Sequence, residues 1–199
     1  MARCILRNTI DRSLRVFRDL LAREIPNLTD RDGENPFCVL KTAHFINNNL
    51  PDYNIPVVRY LYMLRYMPAY LAEYYKAFEY LIINGNHFPN MNILSIGCGS
   101  IIESASLGLL RRDMNNQFRY NIHGIDRIDW VHRFGYDCDF VDFERVSIEE
   151  YNPPNPFNYN ILFLPKSIGE FRNEDFNVLI RNLSQVTPQY DFICIVSSF

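Results

Sequence analysis

The chain has 199 residues, of which 48% are hydrophobic and 15% aromatic, and its formal net charge is −3. That length suits one domain, or one domain with a helical extension, and the apolar share excludes a disordered chain. The slight acidity excludes a global pull toward nucleic acid or anionic membrane, so any such contact needs a local patch.

Cys4, Cys38, Cys98, Cys138 and Cys194 are widely spaced and contain no CxxC. That usage predicts reduced thiols in a cytoplasmic protein. His44, His87, His123 and His132 are equally scattered, so neither set has metal-ligand spacing and no metal is expected. No apolar run approaches the ~20 residues of a membrane span, and the N-terminus lacks a signal peptide's apolar core.

Arg3 to Glu24 reads as a helix, because Leu6, Ile10, Leu14, Phe17 and Leu21 recur three or four residues apart. Arg7, Arg12, Arg15, Arg18 and Arg23 crowd its other positions. They read either as a solvated face or as a patch for an anionic partner such as RNA, diluted by Asp11, Asp19 and Glu24. Thr29 to Asn35 is a polar loop, and Phe37 to Asn49 a short helix that Pro51 ends. Pro56 then opens the most aromatic stretch, Val57 to Ile83, with eight tyrosine and phenylalanine rings at helical spacing. Pro68 lies inside it, and a proline there kinks a helix or starts a new one. The expected break is near Tyr66 to Pro68, with a second helix from Ala69 to Ile83. An N-terminal helical region thus covers residues 1–90, and an α/β region covers 91–199.

From Met91 strands and helices alternate, which argues for a parallel sheet. The predicted strands are Met91–Ile96, Arg119–Ile125, Cys138–Val141, Tyr159–Leu164 and Phe192–Val196. Helices are predicted at Ile101–Met114 and Glu174–Val186, with a short helix or turn at Trp130–Phe134.

The stretch that organises the chain is Asn92-Ile93-Leu94-Ser95-Ile96-Gly97-Cys98-Gly99-Ser100, an apolar strand running into a small-residue turn and then a helix. Such a unit is a socket for a nucleotide-like ligand, since glycines allow backbone approach and a helix start offers unpaired N–H groups. A dinucleotide fingerprint needs a third glycine where Ile102 stands, and a P-loop needs Gly-Lys-Ser/Thr, so neither fits. Asp126 closes Gly124-Ile125-Asp126 at the end of the second strand, where an acid in nucleotide-binding α/β folds bonds the ribose hydroxyls. Asp129 is its nearest competitor for that role.

Leu94, Ile96, Gly97, Cys98, Gly99 and Ser100 resemble motif I of the class I S-adenosylmethionine methyltransferases. Ser95 stands where that motif has an acid, and Ile101 where it has its last glycine. The segment Arg65-Tyr66-Met67-Pro68-Ala69-Tyr70-Leu71-Ala72 resembles a signature of small-subunit ribosomal-RNA methyltransferase-like proteins, and also a tyrosine-rich region of the nicotianamine synthases. The resemblance implies a Rossmann-like, mostly parallel sheet; that family's sheet has seven strands, and this sequence stops right after the fifth, at Ser197-Ser198-Phe199, as a shortened variant, a truncated piece or a subunit completed by a partner would. It implies S-adenosylmethionine as the cofactor, held by Gly97, Cys98, Gly99, Ser100, Asp126 and Arg127. Asp142 and Phe143 would meet the adenine, Leu164 and Pro165 the reacting end, and Tyr66 and Tyr70 would cover the sulfonium by cation–π attraction.

Methyl transfer to an unidentified acceptor is the implied reaction. Aminocarboxypropyl transfer is the alternative from the nicotianamine synthase resemblance. A non-catalytic module acting through a protein partner is the alternative from outside enzymology. Tyr70, Lys166 and Glu170 are the candidates for a catalytic part, although Glu170 also reads as a helix-start acid. A partner, or a second copy of the chain, would cover the edge of the fifth strand.

Overall fold

The computed structural model describes residues 51–84, 90–130, 140–154, 158–166, 171–186 and 192–197, together with Asp11, Arg15, Asp19, Ala22 and Arg23. Those five are helical and exposed. The rest of the predicted Arg3–Glu24 helix, the Thr29–Asn35 loop and the Phe37–Asn49 helix lie outside the described residues.

Helix α1 (Pro56–Asn84) runs unbroken for 29 residues with Pro68 inside it. The predicted break near Tyr66 to Pro68 is therefore corrected. Pro68 removes one backbone hydrogen bond and crowds the preceding turn, a cost of about 3 kcal/mol in an isolated helix. Against that, Met63, Met67, Tyr70, Leu71, Tyr74 and Phe78 form one buried stripe across the proline. Ending the helix there would throw half of that stripe out of register with the sheet beneath it.

Among the described residues five strands come after it: β1 (Asn90–Ile96), β2 (Arg119–Asp126), β3 (Phe140–Arg145), β4 (Ile161–Pro165) and β5 (Ile193–Ser197). Helix α2 (Ile102–Asp113) joins β1 to β2, and α3 (Asn173–Val186) joins β4 to β5. The sheet order is β3-β2-β1-β4-β5, and every pairing is parallel. Period-two alternation divides the strands between two cores. Met91, Ile93, Ile122 and Phe163 pack with α1 and α2. Leu94, Ile96, Ile125 and Leu162 pack with Leu179 and Leu183 of α3. This is a Rossmann-like α/β fold, with helices on both faces of a parallel sheet.

The third strand is corrected in position: the predicted span is Cys138–Val141, and the strand lies at Phe140–Arg145. Asp142 therefore sits in the strand, opposite His123, and not beyond its end. Short apolar runs fix a strand's existence better than its boundaries, and the pairing with β2 decides the register. At the other edge of the described sheet, β5 leaves Val196 46% exposed. Among the described residues no helix is long and apolar enough to cross a membrane.

Candidate functional site

The chain leaves β1 toward β2 and β3, then returns to place β4 on the other side of β1. The strand order reverses there, and in parallel sheets a crevice opens beyond the strand ends at such a point. A pocket lies at that place, lined by the turn after β1, the ends of β2 and β4, the segment after β3, and α1.

The floor is the turn Gly97-Cys98-Gly99-Ser100. Gly97 and Gly99 adopt positive φ, 68° and 54°, which glycine reaches without the clash a Cβ would bring. The Gly97 N–H donates to the Ile125 carbonyl at 2.8 Å and so pins the turn to β2. Ile101 also has positive φ, 54°, the conformation that a glycine would satisfy at this place in motif I. A β-branched residue is strained there, by about 1–3 kcal/mol. Its side chain is fully buried among the core residues beside Gly124, and it does not line the pocket. The hollow is thus open where the substitution for glycine threatened to fill it.

Asp126 forms the next wall. Its Oδ2 accepts from the Gly99 N–H at 2.8 Å, and its Oδ1 accepts from the Ile128 N–H at 2.8 Å. The carboxylate is therefore aimed across the glycine turn. Each oxygen retains acceptor capacity for a further donor. Burial raises its pKa, against the pull of those two N–H groups. Arg127 also lines the pocket.

Opposite the glycines stands an aromatic wall of Tyr53, Tyr62, Tyr70, Tyr74 and Trp130. Trp130 packs on Tyr53 and Tyr62, with ring centroids 5.5 and 5.7 Å apart. A Cβ placed on Gly99 would stand 3.5 Å from its indole, so the turn and this ring nearly meet. Tyr70 is 4% exposed and stacks between Tyr66 and Tyr74.

Lys166 comes directly after β4 with a φ of 54° and points back toward α1. Its Nζ lies 2.8 Å from Glu73 Oε1, an oxygen that also accepts from the Ser197 hydroxyl at 2.6 Å. The ammonium is also 5.5 Å from the centre of the Tyr70 ring. This ties α1 to the ends of β4 and β5 and holds the buried Lys166 in the pocket wall.

Glu103, in the first turn of α2, is a site residue that the sequence pattern does not single out. It is completely buried yet lines the pocket. Its Oε1 accepts from the Ser95 hydroxyl. Among the described residues nothing hydrogen-bonds to its Oε2. Burial pushes its pKa up to about 7, opposed by the Ser95 hydroxyl and its own backbone N–H and reinforced by the nearby Asp126 charge. The signal in the sequence is Ser95 itself: a hydroxyl at the strand position where motif I has an acid, within reach of an acid on the next helix.

The predicted site residues divide accordingly. Tyr70, Gly97, Cys98, Gly99, Ser100, Asp126, Arg127, Pro165 and Lys166 come together around one pocket. Tyr66 does not line it; its ring lies under the Arg65 guanidinium at 5.1 Å and stacks on Tyr70. Leu164 is turned into the core on the α3 side. Asp142 and Phe143 are also absent from the lining, because the β3 register leaves them short of the sheet's end. Val146, Ser147 and Ile148 stand there in their place. Glu170 lies outside the described residues. Among the described residues no group of three or more His, Cys, Asp or Glu side chains could hold a metal ion.

No protein-family model matches this chain, and no curated protein matches it in sequence. Among solved structures it is similar to coclaurine N-methyltransferase bound to N-methylheliamine and S-adenosylhomocysteine, with a TM-score of 0.39 and 9% identity. The match covers 94% of this chain and 57% of that one, so the chain spans little over half the length of that structure.

Proposed function

We propose that this protein binds S-adenosylmethionine and transfers its methyl group to an acceptor. The observation that carries this reading is the Asp126 carboxylate, clamped by the Gly99 and Ile128 N–H groups beside the glycine turn that lines the pocket at the sheet's switch point. An acid so placed receives the two hydroxyls of a ribose, and a glycine turn lets a nucleoside approach its backbone closely. Val146 and Ile148, at the end of β3, supply the apolar side of the adenine pocket, with Ser147 as the polar group at its edge.

The residues also suit the other end of such a ligand. When bound, S-adenosylmethionine supplies a sulfonium-activated methyl group. The chain's own part is to orient the ligand and keep water away. Tyr62, Tyr70 and Tyr74 line the pocket with aromatic rings, whose faces attract a cation. Pro165 and Lys166 close the end of β4, the side from which an acceptor would approach.

The test is calorimetry on the full chain with S-adenosylhomocysteine, then product analysis. Saturable one-to-one binding is expected. On turnover with methyl-labelled S-adenosylmethionine and extracts as acceptor source, label should enter an acceptor and S-adenosylhomocysteine should accumulate. Methylthioadenosine as the product would instead assign aminocarboxypropyl transfer. Absence of binding to any adenosyl ligand would overturn the reading.

A further inference from the structure

We infer that Glu103 is the group in this pocket that receives a ligand's ammonium ion, with the Ser95 hydroxyl holding its other oxygen. The inference rests on the adenosyl reading of the pocket and adds to it a recognition element borne on a helix.

The geometry is unusual for a first-turn acid. Acids favour helix starts because of the dipole, but an exposed side chain is sufficient for that. Glu103 is instead fully buried and reaches the pocket. One oxygen is used by Ser95, and the other has no hydrogen-bond partner among the described residues. A buried acceptor left unpaired is costly and marks a place where something else belongs. The groups packed around it do not supply it. From β1 comes the neutral Ser95 hydroxyl. From α1 comes Tyr74, whose phenol is held protonated by burial and by the charge of Glu103 itself. From the end of β2 comes Asp126, another acid, and the charge of Arg127 acts on that one. Lys166, a buried cation of the pocket wall, is engaged by Glu73. Among the described residues the buried end of the pocket is therefore acidic, with no counter-charge placed on Glu103, so it selects a cation.

Below the shifted pKa of Glu103 a proton occupies that place when no ligand does. Burial raises the pKa of Glu103 to about 7, so near neutral pH the free site is partly protonated. An arriving ammonium favours the ionised carboxylate and displaces that proton to solvent. Affinity for an amine-bearing ligand should then rise with pH below the shifted pKa and level off above it.

The experiment compares S-adenosylhomocysteine, which carries an α-ammonium, with methylthioadenosine, which carries the adenosyl group without it. Each is titrated calorimetrically into the full chain from pH 6 to 7.5, in two buffers of different ionisation enthalpy. S-adenosylhomocysteine is expected to bind roughly eightfold tighter at the upper pH, from one group titrating near 7, and to release a proton at the lower. Methylthioadenosine should show neither effect. Glu103→Gln should abolish the pH dependence and weaken S-adenosylhomocysteine at least tenfold at pH 7.5. Its unchanged methylthioadenosine affinity would report an intact pocket. Matching pH profiles for the two ligands, or full S-adenosylhomocysteine affinity in Glu103→Gln, would overturn the inference and leave the adenosyl reading standing. Failure of both ligands to bind would overturn the adenosyl reading and this inference together.

Discussion

Strands β2 and β3 lie side by side, and each carries an aspartate after a β-branched residue, Ile125-Asp126 and Val141-Asp142. Their surroundings are opposite. Asp126 is the last residue of its strand and is clamped by two backbone N–H groups over the pocket. Asp142 pairs with His123 in mid-strand, and its carboxylate lies 3.2 Å from the His123 Nδ1 on an exposed edge. The register explains the difference. Asp126 is level with Arg145, so the residue that reaches the sheet's end on β3 is three positions beyond Asp142. A dipeptide that looks like a strand terminus acquires a function only if the pairing carries it to the edge where the ligand crevice opens.

The largest effect should come from Asp126→Ala. It leaves the Gly99 and Ile128 N–H groups without their acceptor. At about 1–3 kcal/mol for each unsatisfied group, the loss of stability is roughly 2–6 kcal/mol, read by urea unfolding. Affinity for S-adenosylhomocysteine should fall by about a hundredfold or more, as a charge-assisted contact is removed along with the turn's anchor. An Asp126→Ala chain that keeps both would erase the contrast with Asp142.

Glu103 extends the buried side of that contrast to pH. Its carboxyl titrates near 7 in the folded chain against 4.5 ordinarily. Between those values the folded chain holds a proton that the unfolded chain has released. Stability from this group therefore falls as pH rises through the window and levels off above it. The span is on the order of 3 kcal/mol. Denaturation at pH 5 and pH 8 should show a decline that Glu103→Gln reduces. Equal declines in the two chains would show that Glu103 is not its source.

A smaller effect probes the backbone that carries Asp126. A Cβ added at Gly124 would stand 2.7 Å from Cys98 Sγ and 3.2 Å from both Cys98 Cβ and Ile101 Cδ1. Gly124→Ala should therefore destabilise by about 1–3 kcal/mol through overpacking, and should loosen the glycine turn. Thermal unfolding measures the first effect and ligand affinity the second. The smallest effect belongs to Asp142→Asn, which should change stability by less than about 0.5 kcal/mol. It should leave S-adenosylhomocysteine affinity within about twofold, since Asp142 does not line the pocket. A tenfold loss there would return the adenine contact to Asp142, where the methyltransferase resemblance puts it.

Much of the architecture is legible because it is written in neighbouring residues. The short apolar run of Met91, Ile93, Leu94 and Ile96 ahead of the glycine turn declares a strand, and helical spacing from Ile102 declares the helix after the turn. Gly97 and Gly99 occupy left-handed positions that glycine tolerates. Even Ile101 obeys the turn at the cost of strain, because the backbone path is set by the strand and helix around it. Asp126 is legible too, as its strand ends where its own sequence pattern ends.

The remainder depends on residues far apart in the chain. Pro68 reads as a helix break until the buried stripe from Met63 to Phe78 meets the sheet. Trp130 reveals nothing in sequence of its packing on Tyr53 or its approach to Gly99. Glu103 reads as an ordinary first-turn acid until α2 packs it against Ser95 in the interior. Backbone conformation and the in-or-out sense of each strand come from local sterics and hydrophobic period, which the sequence by itself determined. Register, burial depth and the partner left missing at a carboxylate oxygen arise when separate segments close on one another, and only the tertiary structure decided those.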